Sequence, residues 1–195
     1  MDNLIILESP SLKLKNSNLN SNLEFNPYVV SSLSNIKGDN LKVKHIIFDL
    51  DGTLIKTKSG NKFPKSATDF EFLPYVLDKL KALSEDGYHI IIVSNQAFNK
   101  KSLIRKKILN VYSELKELNV SIFVALKHDK YRKPNIGLWE DYIKPLKVKK
   151  GTLFVGDALG RKGDFSDSDL MFVKNVNKEY PKALKVVSPE KYFSS

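Results

Sequence analysis

The chain has 195 residues, 42% apolar and 28% charged, with 32 Lys and Arg against 22 Asp and Glu, for a formal net charge of +10. That length supports one domain with a full core, alone or with a short appendage, and not two domains. The absence of cysteine excludes disulfides, thiolate zinc sites and thiol nucleophiles. No window reaches the roughly 18 apolar residues of a membrane span, and the start, MDNLIILESPSLKLK, has the wrong flanks for a signal peptide, so a soluble, intracellular monomer is expected.

Residues 1–40 hold four acids (Asp2, Glu8, Glu24, Asp39) and three bases (Lys13, Lys15, Lys37), leaving 29 bases and 18 acids, a net of +11, in the rest. The basic excess therefore belongs to residues 41–195, where it is a reason to consider a polyanionic partner, although a lysine-rich proteome alone raises the count equally well. Residues 11–40 are rich in Asn and Ser, and 1–40 reads as a partly irregular leader that lies on the domain or is partly disordered, preceding a domain over 41–195.

From residue 41 short apolar runs recur at 43–48 (VKHIIF), 89–93 (HIIIV), 121–126 (SIFVAL), 152–155 (TLFV) and 170–173 (LMFV), each predicting a strand buried on both faces. Between them, 74–87 opens on Pro74, spaces Val76, Leu77, Leu80 and Leu83 on one face and stops at Gly87, predicting a helix. A second helical period over 99–119 carries Leu103, Ile104, Ile108, Val111, Leu115 and Leu118, with Lys100, Lys101, Arg105, Lys106 and Lys107 read as its solvated basic face. A third, weaker pattern covers 136–146, with Trp139 and Tyr142 as core residues. Strands alternating with helices predict an open, mostly parallel α/β sheet with helices on both faces.

In such sheets the site lies beyond the carboxyl ends of the strands. DLDGT (50–53 with Asp49), SNQ (94–96), KHDKYRKP (127–134) and GDALGRKGD (156–164) all fall there. Asp49 and Asp51 are one residue apart at the end of an extended run, so they are expected to share a face and to need a cation between them. With Asp157 as a third carboxylate and Ser94 and Lys133 as donors to an anion, the set suits Mg²⁺ beside a phosphoryl group.

FDLDGTL, a strand-end Ser, a Lys and GD, in the order Asp49, Ser94, Lys133, Asp157, resemble the haloacid dehalogenase superfamily of aspartate-nucleophile phosphotransferases. More narrowly, GYHIIIVSNQ, YRKPNIGLWE, FVGDALGR, DFSDSDLMFVKN and PEKYF resemble the 3′-phosphatase domain of polynucleotide kinase/phosphatase over about residues 43–193. The resemblance implies a Rossmann-like fold and names roles. Asp49 would attack phosphorus and form an aspartyl phosphate. Asp51 would protonate the departing 3′ oxygen and then activate water. Mg²⁺ would be bound by the Asp49 carboxylate, the Asp51 carbonyl and Asp157. Ser94 and Lys133 would hold phosphoryl oxygens, Thr53 would buttress the loop, and Gly52 would let the chain turn. Asp169 would orient Lys133 or the metal waters, with Asp164 and Asp167 as competing assignments.

Taken alone, each of these residues has an ordinary alternative: Ser94 as a helix cap, Asn95 and Gln96 as partners of strand-end backbone, Lys133 as a solvated lysine. Only 44 residues lie between Asp49 and Ser94 and 38 between Ser94 and Lys133, so no large cap domain is expected. An uncapped site suits the end of a polymer. The expected substrate is DNA with a 3′-phosphate, single-stranded, nicked or gapped, contacted by Lys56, Lys58, Lys130, Arg132, Asn95 and Gln96 with little sequence preference and strong salt dependence. The alternatives are an uncapped small-molecule phosphatase of the same superfamily and a non-catalytic module that binds DNA ends. Gly151 and Gly156 have the spacing of a kinase phosphate loop, but Asp157 and Ala158 follow where Lys and Ser or Thr are needed, so no 5′-kinase activity is expected.

Overall fold

A computed structural model describes residues 4–6, 28–32, 43–96 and 100–194. Its chain order is β1 (Leu4–Ile6), β2 (Tyr28–Ser32), β3 (Lys44–Phe48), β4 (Ile55–Lys56), β5 (Glu71–Phe72), α1 (Val76–Glu85), β6 (Tyr88–Asn95), α2 (Lys101–Leu115), β7 (Val120–Ala125), β8 (Thr152–Val155), α3 (Ser168–Glu179), β9 (Leu184–Val187) and α4 (Pro189–Phe193). Between β7 and β8 a π-helical turn, Trp139–Ile143, runs into a 3₁₀ turn, Lys144–Leu146, that contains Pro145. This is the weak helical pattern of 136–146, cut short where proline removes a backbone donor.

Seven strands form one sheet in the order β1-β2-β7-β6-β3-β8-β9. The five from β7 to β9 are mutually parallel, while β2 pairs antiparallel with β7 and β1 with β2. Most of the 1–40 leader lies outside the described residues; its two described segments are those antiparallel strands. A separate two-stranded ribbon joins β4 to β5. Among the described residues only this ribbon and α1 stand between β3 and β6, and neither forms a large cap domain.

Strand alternation divides the core in two. Ile46, Phe48, Ile90, Ile92, Ile122 and Val124 pack with Val76 and Leu80 of α1 and Ile104, Ile108 and Val111 of α2. Ile47, Ile91, Val93 and Phe123 pack on the other face with Trp139, Ile143, Phe172, Val173 and Val176. Fully burying each such side chain contributes roughly 2 kcal/mol, which is why the runs that predicted strands are apolar on both faces.

One predicted strand is a helix. Residues 170–173 lie inside α3, where Asp169, Phe172, Val173 and Val176 are buried, a spacing of three and four. Four apolar residues in a row satisfy either period, and the helix is settled only by the positions around them. The fifth parallel strand is instead β9, whose buried Leu184 is followed by exposed Lys185 and half-buried valines, an edge pattern with a weak apolar signal. Among the described residues no helix is long and apolar enough to cross a membrane.

Candidate active site

The extended conformation of β3 ends at Phe48, and the next residues turn. Asp49 donates its backbone N–H to the carbonyl of Val155 at 2.8 Å, a last rung toward β8. Leu50 is fully buried, and its carbonyl accepts from both Leu54 and Ile55. Gly52 adopts φ +82°, and a Cβ there would stand 2.5 Å from Asp157 Oδ2, so both the turn and the approach of Asp157 require glycine. The turn separates the two acids that an extended chain would have placed side by side. Asp49 meets Lys133 and Asp51 meets Lys107, so each carboxylate has its own ammonium.

Asp49 is buried, and Lys133 Nζ lies 2.6 Å from its Oδ1. The same ammonium donates to Asp169 Oδ1 at 2.7 Å and to the carbonyl of Val93 at 2.8 Å, so all three of its donors are used in a site where it is only 1% exposed. Burial works against the Lys133 ammonium, but the carboxylates of Asp169 and Asp49 outweigh it and hold its pKa above the ordinary lysine value. Asp169, fully buried at the start of α3, also accepts from the backbone of Ala158 at 3.1 Å. Asp164 instead accepts from Arg161 and the backbone of Leu159, and Asp167 is exposed at the cap position of α3. Asp169 is thus the acid of this segment that reaches the cluster. Its proximity explains Gly156, where a Cβ would run into the Asp169 carboxylate and the Phe154 ring.

Asn95 has a different task from the substrate contact expected of it. Its Nδ2 donates to the Lys133 carbonyl and its Oδ1 accepts from the Lys133 N–H, both at 2.9 Å, so the whole carboxamide is committed to the backbone of Lys133. Ser94, 1% exposed, accepts from Gln96 Nε2 at 2.7 Å. That same nitrogen donates to Asp51 Oδ2. The other carboxylate oxygen of Asp51 accepts from Lys107 at 2.5 Å. Lys107 lies on the buried face of α2 and is 2% exposed, so it is not part of the solvated basic face. Sequence reading missed it; the available signal was a lysine spaced three from Ile104 and one from Ile108 within the apolar stripe.

Oxygen atoms of Asp49, Asp157 and Asp169 lie within 4.8 Å of one another. Three carboxylates face one ammonium, and the shortage of positive charge shows in their neighbours. Burial pushes the Asp49 carboxyl well above the usual carboxylate range despite Lys133 beside it, and burial with the nearby Asp169 charge raises Asp157. Asp157 keeps oxygen for a ligand, since its side chain accepts only from Thr53 Oγ1, at 3.2 Å, among the described side chains. An all-oxygen set with excess negative charge fits a hard divalent cation. Asp169 is the poorest ligand of the three, because both of its oxygens already accept hydrogen bonds.

The outer predicted contacts are engaged elsewhere. Lys56 pairs with Glu71 at 3.1 Å, Lys130 with Asp141 at 2.8 Å, and Arg132 Nη1 donates to the Gln96 carbonyl at 2.8 Å, bracing the strand end rather than pointing free into solvent. Phe63 and Phe165 are 60% and 74% exposed, and Lys62 Nζ lies 4.3 Å from the Phe165 ring centre and 5.8 Å from that of Phe63. The loop after β4 therefore meets the loop after β8. Asp69 organises the first loop, accepting from the N–H and hydroxyl of Ser59 and the N–H of Lys65 at 2.7–2.8 Å.

Comparison with known proteins places this arrangement. In structure, the chain is similar to the D,D-heptose 1.7-bisphosphate phosphatase from B. bronchiseptica complexed with magnesium and phosphate, at 19% identity and TM-score 0.56 over 74% of this chain and 92% of that one, a likeness of fold. In sequence it is 40% identical over 159 residues to the bifunctional polynucleotide phosphatase/kinase of Schizosaccharomyces pombe, covering 77% of this chain, and 30% identical over 180 residues to the polynucleotide 3′-phosphatase ZDP of Arabidopsis thaliana, covering 80%. The matches span only 37% of the fission yeast protein and 25% of the plant protein. The family model described as polynucleotide kinase 3 phosphatase matches residues 44–193, from the first residue of β3 to the last of α4, and the chain belongs to that family.

Proposed function

We propose that the protein removes phosphate from the 3′ end of a DNA strand by way of an aspartyl phosphate on Asp49. The observation that carries this reading is the meeting of Asp49, Lys133 and Asp157 at a sheet edge with no large cap among the described residues, with Asp51 two residues beyond the nucleophile. Family membership and the named relatives support it.

In the first step an Asp49 oxygen bonds to phosphorus and the bond from phosphorus to the 3′ oxygen breaks, with Asp51 giving that oxygen its proton. In the second, Asp51 takes a proton from water, the water oxygen attacks phosphorus, and Asp49 is released with inorganic phosphate. Lys133, held by Asp169 and by the Asn95 clasp, offers positive charge beside the phosphoryl oxygens, and Ser94 offers a hydroxyl. Asp49, Asp157 and the Asp51 carbonyl would hold Mg²⁺, which when bound offsets charge on the transferring phosphoryl group. Phe63, Phe165 and Lys62, on the loops after β4 and β8, suit an unpaired strand end, since exposed rings accept any base by stacking and lysine takes backbone phosphate.

The test is phosphate release from an oligonucleotide 3′-phosphate, with and without Mg²⁺, beside the matching 5′-phosphate and a panel of small esters. Mg²⁺-dependent release from the 3′ end alone, weakening as salt rises, is expected. Preferential turnover of a small ester overturns the substrate, and turnover by Asp49→Ala overturns the covalent route.

A further inference from the structure

We infer that Lys107 is a positioning residue for Asp51, fixing from within the core the carboxylate that serves the leaving oxygen. The inference rests on the role proposed above for Asp51.

Lys107 occupies a place in the buried face of α2, with Ile104, Ile108 and Val111, where an apolar side chain would add to the core. Burying an ammonium there is costly unless it is paired, and the pairing found is the 2.5 Å contact with Asp51 Oδ1. The two partners are unequally buried: the lysine side chain is 2% exposed and the aspartate side chain 45%. A pair built only to hold the fold gains most from an acid as buried as its lysine. Here the desolvated partner is the anchor, and the carboxylate it anchors stays open to the site.

The second anchor points the same way. Gln96 Nε2 donates to Asp51 Oδ2 and to Ser94 Oγ, so the Asp51 carboxylate is tied at one oxygen to α2 and at the other to the end of β6. Each carboxylate oxygen still has a second lone-pair direction, so neither contact blocks a proton shared with the leaving group. A side chain this exposed would otherwise sample several rotamers, and fixing one of them raises the effective concentration of the group at the reacting atoms.

The test compares two esters. An oligonucleotide 3′-phosphate departs as an alkoxide that needs a proton, whereas p-nitrophenyl phosphate departs as a stable phenolate that does not. Wild type, Lys107→Met, Asp51→Asn and the double variant are followed at saturating oligonucleotide, and for p-nitrophenolate release in a single turnover with enzyme in excess. Lys107→Met is expected to lower kcat on the oligonucleotide roughly 10- to 100-fold with KM changed less than about threefold, to slow p-nitrophenolate release far less, and to add less than about twofold to the loss in Asp51→Asn. Equal slowing on both esters, or full multiplication of the two losses in the double variant, overturns the inference. Thermal melting checks the fold, and Lys107→Gln, which keeps a polar end on a shorter stem, takes the place of Lys107→Met if the latter does not fold. If wild type ignores the oligonucleotide but hydrolyses a small alkyl phosphate, the substrate reading fails and the same comparison with that alkyl ester still tests Lys107. If Asp51→Asn hydrolyses alkyl esters as fast as wild type, the role of Asp51 and the inference fall together.

Discussion

Asn95 clasps Lys133 by the backbone, bonding both its N–H and its carbonyl at 2.9 Å across 38 positions of sequence. The lysine that reaches Asp49 is thereby fixed at its main chain by β6 and at its ammonium by Asp169. Asn95→Ala leaves two buried backbone groups without partners, at a cost of about 1–3 kcal/mol for each that finds no water. The expected result is a lower melting temperature together with a fall in kcat, because Lys133 loses its fixed direction. Asn95→Asp keeps the acceptor and loses the donor, and is expected to lie between wild type and Asn95→Ala in both measurements.

Asp49 and Asp169 share one ammonium but should respond differently. Asp49→Asn removes the nucleophile and also relieves a crowded, buried carboxylate, so phosphate release is expected to be lost while the melting temperature without added metal holds or rises. Asp169→Ala removes an acid that is itself fully buried and strands the Ala158 N–H. Breaking a buried pair from one side costs about 3–5 kcal/mol, so this variant is expected to melt well below wild type in calorimetry.

The loop from residue 59 to 69 hangs on one carboxylate. Asp69 accepts from Ser59 twice and from Lys65, and its pKa is held below the ordinary aspartate value first by the Lys65 N–H and then by the hydroxyl and N–H of Ser59. Asp69→Ala frees the loop that carries Lys62 and Phe63. KM for an oligonucleotide is expected to rise several-fold while turnover of a small ester is nearly unchanged, since the small ester does not reach that loop. An equal effect on both esters would remove the loop from substrate contact.

At the opposite edge of the sheet, the His45 and His89 rings lie 5.5 Å apart between centres with their planes tilted by 58°, and His89 Nε2 pairs with Ser121 Oγ at 2.8 Å. Burial, then the neighbouring His45, lowers the His89 pKa from 6.5 to about 4, and burial lowers that of His45. Because the folded pKa lies below the unfolded one, the neutral ring's contribution is fully present above about pH 6.5 and is lost as pH falls toward 4. The shift at His89 is worth up to about 3 kcal/mol. Chemical denaturation across this range is expected to show stability falling with pH, and His89→Gln is expected to flatten that slope.

Four of the five parallel strands (β3, β6, β7 and β8), helices α1 and α2 and the edge that carries the site were legible in the sequence, because buried parallel strands must be apolar on both faces and their loops gather at one edge. Asp49, Ser94, Lys133 and Asp157 follow from that placement, each standing at a strand end or just beyond. Residues 170–173 misled because a short apolar run fits a helix as well as a strand, and β9 escaped because an edge strand alternates weakly. Tertiary structure alone decided the partners. Asn95 could bind substrate or backbone, Asp164 and Asp167 could equal Asp169, and Lys107 could belong to solvent, until the turn at Gly52 carried Asp51 toward α2 and left Asp49 facing α3. A residue's type and spacing determine the face of its own element. Which carboxylate meets which ammonium across 56 positions, as Asp51 meets Lys107, depends on how layers pack, and no local pattern encodes it.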